Sequence, residues 1–142
     1  MSSEEKTFVF PSLEWTQELA NRLNALPEYR DSGAGWSGTL ALVALAEPGK
    51  LSEDAAFSLD PTGGVIKDVK QLPDPKRVTA EYTLLAKYSA WKDIIQGKYD
   101  ILGGILRGKV RLKGSVFKLM LQMKTPEYVL REMRALPTKF PG

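Results

Sequence analysis

The chain has 142 residues, 43% hydrophobic and 26% charged, with 20 lysines and arginines against 17 acids for a net charge of +3. This is the composition of a soluble globular protein, most simply one domain spanning residues 1–142 with an ordinary core. The chain contains no cysteine and no histidine, which excludes disulfides, thiolate chemistry, Ser-His-Asp triads, histidine acid–base catalysis and histidine-ligated zinc.

Residues 1–10, MSSEEKTFVF, lack the apolar run of a signal peptide and read as a flexible or loosely attached terminus. Ser12 then precedes Leu13, Trp15, Leu19, Leu23 and Leu26, which recur near helical spacing. A helix over 12–26 is predicted, capped by Ser12 and stopped by Pro27, with an irregular segment to Gly35. Residues 36–46 are apolar on both faces, as in a central strand. Glu47-Pro48-Gly49-Lys50 is a turn. Strands over 55–60 and 64–72 are joined by the hairpin signal Asp60-Pro61-Thr62-Gly63. Pro73 and Pro75 break the chain, and the alternation of Val78, Ala80, Tyr82 and Leu84 predicts a fourth strand over 78–85.

The period then changes. Tyr88, Trp91, Ile94 and Ile95 share one helical face, and Gly97 supplies a stop. A second short helix follows over 100–106, loosened by Gly103-Gly104. In the strand over 108–114, Val110 and Leu112 point one way and Lys109, Arg111 and Lys113 the other. Residues 116–123 fit both a helix, through Val116, Leu119, Met120 and Met123, and a strand, through Phe117, Leu119, Leu121 and Met123. The helix is preferred. The last helix has Thr125 as cap, Pro126 and Glu127 in its first turn, an apolar face of Val129, Leu130, Met133 and Leu136, and Pro137 as its end. This order is that of an α+β domain with helices on one side of a mostly antiparallel sheet.

Charge is uneven. Between Lys98 and Lys124 seven basic residues face one acid, Asp100, so this window carries +6 and the rest of the chain −3. The pattern reads as a solvated strand face able to attract phosphate or an anionic surface. It lacks the interleaved aromatics of a nucleic-acid site, and no nucleic-acid partner is expected. Gly33-Ala34-Gly35-Trp36-Ser37-Gly38 matches G-x-G-x-x-G literally. An irregular segment precedes it and a strand follows, which is the reverse of a dinucleotide site. The carboxylate pairs Glu4-Glu5 and Glu53-Asp54 have polar surroundings, no calcium loop is present, and neither a metal nor a cofactor is expected. The longest apolar run, residues 40–46, falls far short of a membrane span. The expectation is a cytoplasmic protein that is not an enzyme.

The segment Gly97-Lys98, Tyr99 to Arg107, then Gly108-Lys109-Val110-Arg111-Leu112-Lys113-Gly114 resembles the sterol carrier protein 2 family of lipid-binding domains, in its paired Gly-Lys turns and their spacing. The resemblance implies a five-stranded, mixed, mostly antiparallel sheet with helices on one face and a hydrophobic tunnel between them. It implies a non-catalytic lipid carrier for a fatty acid, fatty acyl-CoA, sterol or phospholipid. Carried onto this chain, the tunnel-wall candidates are Ile94, Ile95, Tyr99, Leu102, Ile105, Leu106, Leu112, Leu119, Met120 and Met123, with Val129, Leu130 and Met133 as a cap. Lys98, Lys109 and Lys113 are candidate head-group contacts. A monomer or homodimer is expected, with transient contact to a membrane surface. The alternative reading is a protein interaction or dimerisation module that uses the same apolar surface.

Overall fold

The computed structural model describes residues 6–122 and 126–142. Its first helix, α1 (Leu13–Asn24), starts where the Ser12 hydroxyl accepts the Trp15 N–H at 3.0 Å. It buries Trp15, Thr16, Leu19, Ala20 and Leu23. The segment expected to be irregular contains a second short helix, α2 (Pro27–Ser32). Proline at its first position presets the helical backbone, so the residue that ends α1 also starts α2. None of the residues of α2 is buried.

Five strands form the main sheet: β2 (Leu40–Leu45), β3 (Ala55–Asp60), β4 (Lys67–Leu72), β5 (Tyr82–Lys87) and β6 (Val110–Lys113), in the order β4-β3-β2-β5-β6. β2 pairs in parallel with β5, and the other three pairings are antiparallel. The apolar run of β2 is thus the central strand. β4 starts later than expected because the 3-10 turn Thr62–Gly64 precedes it. β5 also starts late. Asp74 folds its successors into a turn, accepting the Lys76 N–H on its carboxylate and the Arg77 N–H on its carbonyl, each at 3.0 Å. The alternation at Val78 and Ala80 therefore lies before the strand, which runs on to Lys87 opposite Leu45.

Helices α3 (Tyr88–Ile95), α4 (Ile101–Leu106), α5 (Val116–Gln122) and α6 (Pro126–Ala135) follow at the predicted places, packed on the face carrying Leu40, Leu42 and Leu84. The ambiguous stretch from Val116 is a helix, started by Ser115, whose hydroxyl accepts the Lys118 N–H at 3.2 Å. Met123 and Thr125 lie outside the described residues. Among those described, no helix is long and apolar enough to cross a membrane.

Two expectations need correction. The terminus is not loose at Phe8–Phe10: β1 (Phe8–Val9) pairs with β7 (Thr138–Lys139), and Phe10 is buried with its ring edge-on to Trp15 at 4.8 Å. Residues 1–5 lie outside the described residues. The glycine pair does not simply loosen α4. Gly104 is buried, and a Cβ there would sit 2.6 Å from Val110 Cγ2 and 3.3 Å from the Tyr99 ring. Glycine lets α4 lie directly on β6, and the Asp100 carboxylate caps the helix by accepting the Gly103 N–H at 2.6 Å.

At the same end of β5, where Ala86 pairs with Val110, the Glu47 carboxylate accepts the Ser89 N–H at 2.6 Å at the start of α3. This bond holds its pKa below the ordinary 4.5. A depressed folded value stabilises the fold above the unfolded glutamate range, and that contribution disappears as pH falls through the folded value. Glu47→Ala is therefore expected to lower stability by about 0.5–1 kcal/mol at neutral pH, with the gap to wild type narrowing in acid melts. Gly104→Ala is expected to destabilise by about 1–3 kcal/mol in denaturant titrations, although alanine is the better helix former, because stiff Val110 cannot yield.

Candidate functional site: an apolar cavity between sheet and helices

Helix-facing side chains of the sheet do not fully meet the helices above them. A cavity of about 120 Å³ remains. Its floor is Leu40 and Leu42 of β2, Leu59 of β3 and Leu84 of β5. One wall is Leu19, Ala20 and Leu23 of α1 with Trp91 of α3. The later helices add Ile101 of α4, Leu119 of α5, and Val129 with Met133 of α6. Tyr29, Ser32, Gly33, Trp36, Pro61 and Ile66 complete the lining. Among the described residues, no carboxylate, amine or guanidinium belongs to this lining, so the space offers a ligand apolar contact rather than chemistry.

Polar groups at its edges are turned to structural use. The Trp91 indole N–H donates to the Val43 carbonyl oxygen at 2.9 Å. The Asn24 side chain grips Ile66 twice, donating to its carbonyl oxygen at 3.0 Å and accepting its N–H at 2.8 Å. That clamp ties the end of α1 to the loop before β4. The Ser32 hydroxyl donates to the Tyr29 carbonyl oxygen at 3.0 Å, and the Trp36 indole to the Gly38 carbonyl oxygen at 2.8 Å. Burial raises the Tyr29 phenol above its ordinary pKa of 10.0, so it stays neutral near pH 7.

The wall candidates taken from the sequence divide into groups. Leu119, Val129 and Met133 line the cavity. Ile94 and Ile95 are fully buried in the surrounding core, with Tyr99, Ile105, Leu112 and Leu130 half-buried against it. Leu102 is half-buried on α4. Leu106 and Met120 face outward, Leu106 being 88% exposed. Apart from Leu119, Val129 and Met133, none of these residues belongs to the lining. Met123 lies outside the described residues.

The candidate head-group lysines are also remote from the lining. Lys98 pairs with Asp93 at 3.2 Å. Lys109 borders a separate open groove of about 530 Å³ beside Lys87, Arg111 and Tyr99. Lys113 is exposed at the end of β6. The first Gly-Lys turn has another role: Arg134 of α6 donates to the Gly97 carbonyl oxygen at 3.1 Å, tethering the last long helix to the α3–α4 turn. Sequence reasoning missed the α1, α2 and strand side of the cavity, and also Asn24. Asn24 does follow buried Ala20 by four positions and so shares its inward face.

No protein-family model and no curated protein matches the chain. Solved structures do. A crystal structure of sterol carrier protein 2 superposes with a TM-score of 0.73 and 22% identity, over 87% of this chain and 95% of that one. A conserved hypothetical protein from Thermus thermophilus, regarded as a candidate sterol carrier protein, superposes with a TM-score of 0.78 and 21% identity, over 97% and 94%. Palmitated sterol carrier protein 2-like 2 from Aedes aegypti gives a TM-score of 0.57 and 13% identity, over 81% and 90%. The chain has the sterol carrier protein 2 fold.

Burial separates the wall from the surface in a way mutation can read. Met133→Ala is expected to cost about 2–4 kcal/mol in denaturant unfolding, because it deletes a buried side chain at the cavity edge. Leu106→Ala is expected to stay within about 0.5 kcal/mol of wild type.

Proposed function

We propose that the chain is a non-catalytic lipid carrier that holds a fatty acid, fatty acyl-CoA, sterol or similar apolar ligand between its sheet and its helices. The observation that carries this reading is the uncharged, almost wholly apolar cavity in the middle of the domain. A protein that only needed a core would fill such a space, since unfilled volume costs stability. The fold supports the reading through neighbours named as sterol carriers, and the palmitated neighbour favours an acyl chain among the options.

Size sharpens it. A void of about 120 Å³ is comparable to the cavity of about 150 Å³ that takes up benzene. A long acyl chain or a sterol is several times larger, so loading requires the wall to move outward. Each buried methylene returns about 0.8 kcal/mol, which offsets the cost of displacing a short, lightly packed helix. The sheet, α1 and α3 make the fixed half. α2, with no buried residue, and α5, with Leu119 alone fully buried among its described side chains, make the half that can yield.

Native mass spectrometry of protein taken from cells is expected to show a co-purified fatty acid or related lipid, and the emptied protein is expected to take up a fluorescent fatty acid. A clean apo mass with no uptake sinks the reading. Ala20→Leu places bulk directly into the void and is expected to weaken fatty-acid uptake by about tenfold or more without lowering Tm, because the added methyls occupy space already empty.

A further inference from the structure

The outer side of α5 has no cover among the described residues. Phe117, Met120 and Leu121 are three and four positions apart, so they form one apolar stripe along the helix. They are 72%, 55% and 60% exposed, whereas Leu119, on the opposite side, is 1% exposed and lines the cavity. Among its described side chains the helix hides one large apolar group and presents four to solvent, Val116 being 43% exposed beside the stripe. An apolar stripe of this kind on a surface marks an interaction site.

Charge chooses the occupant. The stripe sits inside the window that carries +6. Lys118 projects from α5 itself and Lys113 stands just before it, and neither has an ion-pair partner among the described residues. A second copy would bring the same positive charge against this face. Large apolar residues on one side of a helix with lysines beside them are what settles into the interface of an anionic bilayer, the rings and branched chains entering the acyl boundary and the cations meeting head groups.

We propose that α5 is a docking element for an anionic lipid bilayer. Phe117, Met120 and Leu121 enter the interface while Lys118 and Lys113 contact lipid phosphates or carboxylates. Rotation or withdrawal of the helix as it docks draws Leu119 out of the cavity wall, so the cavity opens toward the membrane it touches. The docking stands on the stripe and the charge; the opening step rests on the lipid-carrier reading.

Flotation of the full chain with phosphatidylcholine vesicles, with and without phosphatidylserine, tests the docking. Wild type is expected to float only when phosphatidylserine is present, and to lose binding as salt rises. The double variant Phe117→Ser, Leu121→Ser is expected to keep its Tm and its uptake of fluorescent fatty acid from solution. Its vesicle binding is expected to fall by about tenfold or more, and its rate of extracting fatty acid from vesicles with it. The proposal is overturned if wild type stays off phosphatidylserine vesicles, or if the double variant floats as well as wild type. It is also overturned if light scattering shows a dimer that the double variant dissociates. Uptake from solution is read separately: its loss in wild type overturns the carrier reading and leaves the docking result standing.

Discussion

The hydrogen bond from the Trp91 indole to the Val43 carbonyl oxygen, buried at 2.9 Å, is the interaction on which the rest of the architecture depends. It fixes the largest side chain of α3 against the central strand, where an unpaired indole N–H would be costly. Because α3 follows β5 directly, and β5 is the parallel neighbour of β2, this bond sets the height of the helix above the sheet. The same ring lines the cavity beside Met133 of α6. The sheet, α3 and α6 are thus referenced to one aromatic plane.

A cavity next to so rigid an element is a departure from close packing with an identifiable origin. The floor is leucine-rich, and beyond α1 the helices reach it with only one or two side chains each. Short helices cannot supply a continuous ridge for the grooves opposite, because each presents only one or two inward positions per element. Gly104 takes α4 down onto β6, and its neighbours α5 and α6 meet the cavity only at Leu119, Val129 and Met133. The helices cover the sheet yet are too sparsely studded to fill the space beneath them.

Much of this was legible in the residues. Ser12, Pro27, Gly97, Asp100 and Pro137 mark element boundaries by local chemistry, and the structure follows them. β5 was displaced because alternation persists by chance through Val78 and Ala80, while the capping of Asp74 on Lys76 is invisible to a periodicity count. The cavity wall was only half legible. Periodicity says that a side chain points inward; it does not say whether the next atom is a neighbour or a void. Ile94 and Ile95 point inward and meet only neighbours, whereas Leu40, Leu42 and Leu84 pack against the core and also border the cavity. Met120 follows Leu119 directly and is equally apolar, yet one helical step of about 100° separates wall from surface.

The paired hydrogen bonds between Asn24 and Ile66 have a consequence for how such a domain can diversify. By locking α1 to the loop before β4, they confine structural tolerance to the remaining short helices. Substitutions there alter the shape of what the domain accepts without touching the packing of α1 on the sheet. Selection for a new cargo can therefore proceed on a handful of peripheral positions, largely independent of selection for folding.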